Sequence, residues 1–298
     1  MMSKVSRLVR KLLSPDAPAK IERRLRTAAI ARSVIRPNPF LAGLCRQLRI
    51  NRLRYGSGQT ALVCGVGGDI GEAIAHQLVL QGCRVIGTYR DRRPELAGNA
   101  GIQLFQLDIT SVDQVSDFYK ELDQQSIRLD LIVVATGFNS GLDYHASNCS
   151  EELTRETLSL EYQDILQSFQ SNTLGPYLLM RRFADLLNVG IPRRGIPQIC
   201  LLSSSLGTMN NELYGGSYGY RTGKGALHSL SMAVYCDLNI DAHVGIQILG
   251  PGNVNTRMNP GGLMPVELAA SEIIANIEFN RKRPRFQFLG PKGRRIPW

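Results

Sequence analysis

The stretch Thr60-Ala61-Leu62-Val63-Cys64-Gly65-Val66-Gly67-Gly68-Asp69-Ile70-Gly71 decides the fold. Thr60 to Cys64 is a short apolar run with the length and β-branched content of a buried strand. From Asp69 to Leu80 the apolar residues recur at helical spacing. Gly65, Gly67 and Gly68 lie where the strand hands over to the helix, and Gly71 falls in the first helical turn. Glycine there permits a tight turn, and the free N–H groups of a helix start can face the diphosphate of a dinucleotide. Gly82 marks the helix stop, and Arg84 to Thr88 reads as the next strand. The result is a strand-helix-strand unit with a phosphate-binding turn at its first corner.

The same alternation continues outward. Further candidate strands are Ile102 to Leu107, Leu129 to Ala135, Gln198 to Leu202, Val244 to Leu249 and Arg285 to Leu289, with helices near 111–124, 161–188, 217–239 and 265–279. Strands alternating with helices predict a parallel sheet covered on both faces, because each parallel crossover lays a helix against the sheet. The expected fold is therefore α/β, a Rossmann-type doubly wound parallel sheet of about seven strands. No internal repeat or low-complexity tract interrupts it.

Charge divides the 298-residue chain near position 55. Residues 1–54 hold fourteen Lys and Arg against Asp16 and Glu22, so an overall +10 less +12 in this extension leaves the remainder at about −2. Two domains of unlike character follow: a basic extension, 1–54, and a dinucleotide-fold domain, 55–298. In the extension, Val5, Leu8, Val9, Leu12 and Leu13 share one helical face while Lys4, Arg7, Arg10 and Lys11 take the other, and a second basic helix fits Lys20 to Ile35. An arginine-rich, acid-poor, amphipathic start has the character of a transit peptide, which gives an expectation of import into a mitochondrion or plastid. A cytoplasmic extension and peripheral membrane contact through residues 1–35 are the alternatives. Nucleic acid is not an expected partner, since Phe40 is the only aromatic before Tyr55 and nothing alternates with the charges to stack on bases.

No apolar run approaches the roughly 18 residues that span a bilayer. The six cysteines, at 45, 64, 83, 149, 200 and 236, have no metal-type spacing and read as free thiols, largely buried. His76, His145, His228 and His243 show no paired spacing either and read as packing or surface residues, so no metal site is expected. The seven basic residues between Arg281 and Trp298, with no acid among them, read as solvated charge beside a last edge strand.

The second strand ends Thr88-Tyr89-Arg90, without the acid that would grip an unphosphorylated ribose. NADP(H) is therefore expected over NAD(H), with Arg90, helped by Arg92, placed to pair with a 2′-phosphate. Further on, Tyr220-Arg221-Thr222-Gly223-Lys224 puts a phenol and an ammonium on one helical face at i and i+4. A tyrosine ordinarily titrates near ~10, and a neighbouring cation favours phenolate, so the pair suggests the proton donor of a reduction. Chance can supply such a pair, but here it follows the strand-end serines Ser203-Ser204-Ser205 and a helix carrying Asn172-Thr173-Leu174-Gly175.

On these motifs the chain resembles the short-chain dehydrogenase/reductase family over roughly residues 59–298, nearest its C-factor and carbonyl-reductase branch. The resemblance implies catalytic roles for Asn172, Ser204, Tyr220 and Lys224. It places cofactor contacts at Gly65, Gly67, Gly68, Asp69, Ile70, Gly71, Arg90, Asp108, Ile109, Gly137, Tyr220 and Lys224, and at Pro251, Gly252, Val254 and Thr256 of a Pro-Gly turn that in the family closes over the nicotinamide. It implies an NADPH-dependent reduction of a small-molecule carbonyl (an aldehyde, ketone or quinone) to an alcohol: Ser204 and Tyr220 hold the carbonyl oxygen, Tyr220 delivers the proton, Lys224 holds the ribose and lowers the pKa of Tyr220, and Asn172 keeps a water that reconnects Lys224 to solvent. It also implies a homo-oligomer packed through the helices starting near Glu161 and Ser217. Substrate walls are expected from Phe138, Met209, Tyr214, Met258 and Met264. Two departures stand out. Asp69 occupies the position of a glycine in the family's turn, where an inward carboxylate would repel a diphosphate, and Val134-Ala135-Thr136-Gly137 lacks the family's side-chain amide braces. They support an alternative reading, a catalytically weak NADP-binding sensor or interaction protein of the same fold.

Overall fold

Seven short strands lie parallel in one sheet, in the order β3-β2-β1-β4-β5-β6-β7. They are β1 (Thr60–Cys64), β2 (Arg84–Tyr89), β3 (Ile102–Gln106), β4 (Leu131–Val134), β5 (Gln198–Leu202), β6 (Gly245–Leu249) and β7 (Phe286–Leu289). The helices between them are α1 (Asp69–Leu80), α2 (Val112–Gln124), α3 (Arg155–Phe169), α4 (Gly175–Phe183), α5 (Tyr218–Leu238) and α6 (Val266–Asn280). The computed structural model describes residues 54–96, 101–140, 155–190, 195–210, 216–239, 243–281 and 285–298, without the side chains of 155–157. The basic extension, with Cys45, lies outside the described residues up to position 53, as do His145, Cys149 and Tyr214.

The sheet is buried on both faces, which is why its strands read as continuous apolar runs rather than alternating ones. Successive residues still point to opposite sides. Leu62 and Cys64 enter one core with Phe118 and Leu122 of α2, Leu179 and Phe183 of α4, and Leu227 of α5. Ala61 and Val63 enter the other with Ile74 and Leu78 of α1 and Ile273 and Ile277 of α6. The strand order reverses between β1 and β4, so the carboxyl ends of these two strands open a crevice, the usual ligand position in such sheets.

The expected doubly wound α/β fold is the observed one, and β1, α1 and β5 have the bounds read from the sequence. One difference bears on the site. The single helix expected over 161–188 is α3 and α4 joined by one turn of π-helix, Gln170–Leu174, closed by the N–H of Gly175 donating to the carbonyl of Gln170. Pro176 explains the widening, since it has no N–H to give the carbonyl of Asn172 four residues back. Such single π turns are frequent at functional sites.

Candidate active site

The phosphate turn is shaped by backbone approach. Gly65 has φ +94°, a left-handed conformation costly for any side chain, and its N–H donates to the Thr88 carbonyl at 2.8 Å. A methyl group added to Gly71 would collide with the Gly65 carbonyl, so only glycine lets α1 start this close to β1. Gly68 caps α1 without any side-chain acceptor, which leaves the N–H groups of the first turn available to an anion. Beyond the turn lies a cleft of about 320 Å³, lined among others by Gly65, Gly67, Gly68, Arg90, Asp108, Ile109 and Gly137. Its shape and donors fit a dinucleotide: a glycine cradle a Cβ would fill, a helix start beside it, and a polar far end.

At that far end Arg90 forms an ion pair with its neighbour Asp91, Nε to Oδ2 at 2.6 Å. Arg92 is held by Glu72 at 3.1 Å and by the Gly67 carbonyl at 2.9 Å. Asp108 accepts from the N–H and hydroxyl of Thr110 at 2.9 and 2.7 Å, which organises the entry to α2. Asp69 does not stand as a lone carboxylate. It accepts from the backbone N–H of Arg257 at 2.8 Å and from its Nε at 2.7 Å, while Nη2 of the same guanidinium donates to the Gly67 carbonyl at 2.8 Å.

The second cluster sits where β5, α5 and the π turn meet. Ser204 ends the extended chain after β5; its Oγ accepts from the Leu206 N–H at 3.2 Å and interacts with the Tyr220 phenol. Burial pushes the phenol pKa above its usual value, and the Ser204 bond only partly offsets this. Lys224, one turn along α5, is buried, with its Nζ 5.8 Å from the Tyr220 ring and donating to the Leu202 carbonyl at 3.0 Å. Burial pushes its pKa down to about 8. The expected lowering of the Tyr220 pKa by Lys224 is not what this arrangement gives: the ammonium is turned to the β5 backbone, and desolvation dominates the phenol.

Asn172 is fully buried in the π turn and spends its amide on its neighbours. Its Oδ1 accepts from the Phe138 N–H at 2.8 Å, and its Nδ2 donates to the Phe138 carbonyl and to Ser168 Oγ, each at 2.8 Å. The segment after β4, which lacks its own side-chain amides, is thus braced by Asn172. Gly223 makes the approach feasible, because a Cβ there would lie 2.9 Å from the Ser168 carbonyl. Asn172 and Lys224 meet at Gly137: a methyl group there would stand 3.7 Å from both Asn172 Oδ1 and Lys224 Nζ.

A second cavity, about 550 Å³, opens beside Tyr220 and Ser204. Ser203, Ser205, Pro251, Gly252, Asn139, Asn253 and Asn259 line it, with Pro291 and Ile296 from the carboxyl-terminal segment. Met258 lines both cavities and forms the wall they share. Of the other expected substrate walls, Phe138 lines the dinucleotide cleft, Met209 is 93 % exposed, and Met264 packs behind Gly252. The cavity is consequently more polar than the sequence suggests. In the Pro-Gly turn, Val254 is buried and Thr256 Oγ1 accepts from the Asn259 N–H at 3.1 Å, keeping its own hydroxyl proton to donate.

Sequence reading missed Arg257, whose only signal is that Asp69 in a glycine turn needs a cation. It also missed the pairing of Ser203 with His228, Oγ to Nε2 at 2.7 Å, under Phe288 and Trp298. Burial and the nearby Lys224 charge push the His228 pKa down to about 4, so at neutral pH it is an uncharged packing residue. Cys64, Cys83 and Cys200 are buried free thiols, whereas Cys236 is exposed.

A doubly wound sheet with a glycine cradle at its switch point, beside a serine-tyrosine-lysine cluster, defines a dinucleotide-fold oxidoreductase. The chain belongs to the short chain dehydrogenase family, whose model matches residues 59–261. It is 28% identical over 245 residues to the 1-hydroxy-2-glutathionyl-2-methyl-3-butene dehydrogenase of Rhodococcus sp. (strain AD45), covering 80% of this chain and 99% of that protein. It is 25% identical over 140 residues to the C-signal protein of Myxococcus xanthus, covering 47% of this chain and 81% of that one. Its fold is similar to that of the NADPH-bound carbonyl reductase from chicken fatty liver, with a TM-score of 0.64 at 20% identity over 83% of this chain and 100% of that chain.

Proposed function

We propose that this protein is an NADPH-dependent reductase that converts a small-molecule carbonyl to an alcohol. The observation that carries the proposal is the pair of hydroxyls, Tyr220 and Ser204, on the wall of a cavity that shares Met258 with the dinucleotide cleft. Two hydroxyls at one point can hold a carbonyl oxygen, and a phenol kept protonated by burial is a proton donor through the neutral range. Bound NADPH supplies the hydride. The chain's own residues do the rest. Ser204 and Tyr220 orient the carbonyl oxygen and stabilise the negative charge growing on it, and the Tyr220 hydroxyl passes its proton to that oxygen. Lys224, buried beside Gly137, offers its ammonium to the ribose hydroxyls, and Asn172 fixes Phe138 and so the floor of the cleft.

The preference for NADPH rests on Arg90. Asp91 takes its Nε, while its terminal N–H groups are directed to no other described residue and suit a 2′-phosphate. The NADPH bound by the chicken carbonyl reductase agrees with this reading. The Rhodococcus relative is named for a hydroxy compound, and the same two hydroxyls serve oxidation when the proton runs the other way. NADPH oxidation against a panel of aldehydes, ketones and quinones tests the proposal. Tight NADPH binding without turnover on any carbonyl would favour the sensor reading instead.

We also propose a homo-oligomer through α3 and α5. Leu158, Tyr162 and Leu166 recur at i, i+4 and i+8 on α3 and are 50, 60 and 40 % exposed, an apolar stripe that a second copy would cover. The extension before residue 54 is proposed as a targeting segment, tested by fusing it to a fluorescent protein. A diffuse cytosolic signal would refute import.

A further inference from the structure

The loop after β6 is a folded unit in its own right. Asn255 and Met264 exchange backbone bonds with their surroundings (Asn255 N–H to the Met264 carbonyl, Met264 N–H to the Asn253 carbonyl, each at 2.9 Å), and Thr256 and Asn259 pair across a tighter turn. The Asn259 amide ties this turn to Asn253 Oδ1 at 2.7 Å and to the Val254 carbonyl at 2.9 Å. At the tip of this unit Arg257 reaches the phosphate turn, 188 residues earlier in the chain, through the three bonds to Asp69 and Gly67. The next residue, Met258, is the wall between the two cavities.

We propose that Asp69 and Arg257 act as a clasp that holds the folded loop 251–264 down on the phosphate turn, fixing Met258 between the two cavities and slowing release of a dinucleotide bound beneath it. The inference rests on the dinucleotide reading of the cleft. Its chemistry is specific to this pair. The backbone N–H and Nε of Arg257 meet the two oxygens of one carboxylate, a two-point grip that sets orientation as well as attraction, and Nη2 adds a third point on the turn itself. The Asp69 carboxylate, an electrostatic liability beside a diphosphate when alone, is neutralised and becomes the anchor. Because the Arg257 side chain is 53 % exposed, the clasp can open for cofactor exchange without disturbing the core.

The test uses the full chain with NADPH as the probe. Stopped-flow dissociation rates and hydrogen-exchange rates for residues 253–264 are measured in the unsubstituted protein, Asp69→Asn, Arg257→Gln and the exchanged double variant D69R/R257D. Asp69→Asn and Arg257→Gln are each expected to speed NADPH release about tenfold and to raise exchange in the loop, and the exchanged pair to recover part of both. Either single variant suffices if the other does not fold. Unchanged release and exchange, or tighter NADPH binding by Asp69→Asn, would overturn the clasp, the last because it would make Asp69 a plain repulsive charge. Faster loop exchange in Asp69→Asn together with no NADPH binding by any form would support the mechanical link while removing the cofactor reading.

Discussion

The Lys224 ammonium donates to the Leu202 carbonyl at 3.0 Å, at the end of β5, and so is tied to the sheet rather than to the phenol one helical turn away. Tyr220 interacts with Ser204, and burial raises its pKa. Burial therefore keeps the phenol protonated, the form that the proposed reduction consumes.

Replacing Tyr220 with Phe removes that proton and one of two bonds to the carbonyl oxygen. Turnover is expected to fall by about 10²–10⁴-fold, while the dissociation constant for NADPH, measured by calorimetry, stays within about twofold.

The pH dependence follows from Lys224. Burial lowers its folded pKa from 10.5 to about 8, so above about pH 8 the folded protein loses the ammonium that would hold the ribose. The NADPH dissociation constant is expected to rise from pH 8 upward and to be flat below it. Folding shows the opposite trend: between pH 8 and 10.5 the unfolded chain binds the extra proton, so the Lys224 contribution to stability increases with pH in that window. Lys224→Met should abolish both trends in calorimetric titrations and in urea denaturation followed across that pH range.

Asn172→Ala deletes three hydrogen bonds, a buried one to Ser168 and two part-buried ones to the backbone of Phe138. A loss of about 1–3 kcal/mol in stability is expected from urea denaturation, because the Phe138 N–H and carbonyl are left without their partner. The Michaelis constant for NADPH should rise with it, since the floor of the cleft loses its brace.

Arg90→Met tests the cofactor choice. It should weaken NADPH binding by about 10–100-fold and leave NADH binding within about twofold, as only the 2′-phosphate loses its charge-assisted bonds. Equal losses for both cofactors would reassign Arg90 to the adenine or to the turn.

Tyr162→Asp places a charge in the middle of the exposed stripe on α3. Light scattering coupled to size exclusion is expected to show a dimer or tetramer for the unsubstituted protein and a monomer for the variant, because a buried unpaired carboxylate costs several kcal/mol at an apolar interface.

The alternation of apolar runs and helical periodicity was enough to predict a doubly wound parallel sheet, and the bounds of β1, α1 and β5 were legible because glycine turns and buried apolar runs are set by near neighbours. The four polar residues of the candidate site, Asn172, Ser204, Tyr220 and Lys224, could be picked out too, each being marked by a short motif. Tertiary structure alone decided how they are wired. Pro176 opens a π turn that aims Asn172 at Phe138, Lys224 turns to Leu202, and Arg257 crosses 188 residues to neutralise Asp69. The second cavity was equally illegible, since three separate loops and the carboxyl-terminal segment contribute its asparagines, serines and Ile296. Such contacts depend on strand register and on the path of whole loops, and residues that meet only after the sheet has assembled leave no periodic trace in the chain.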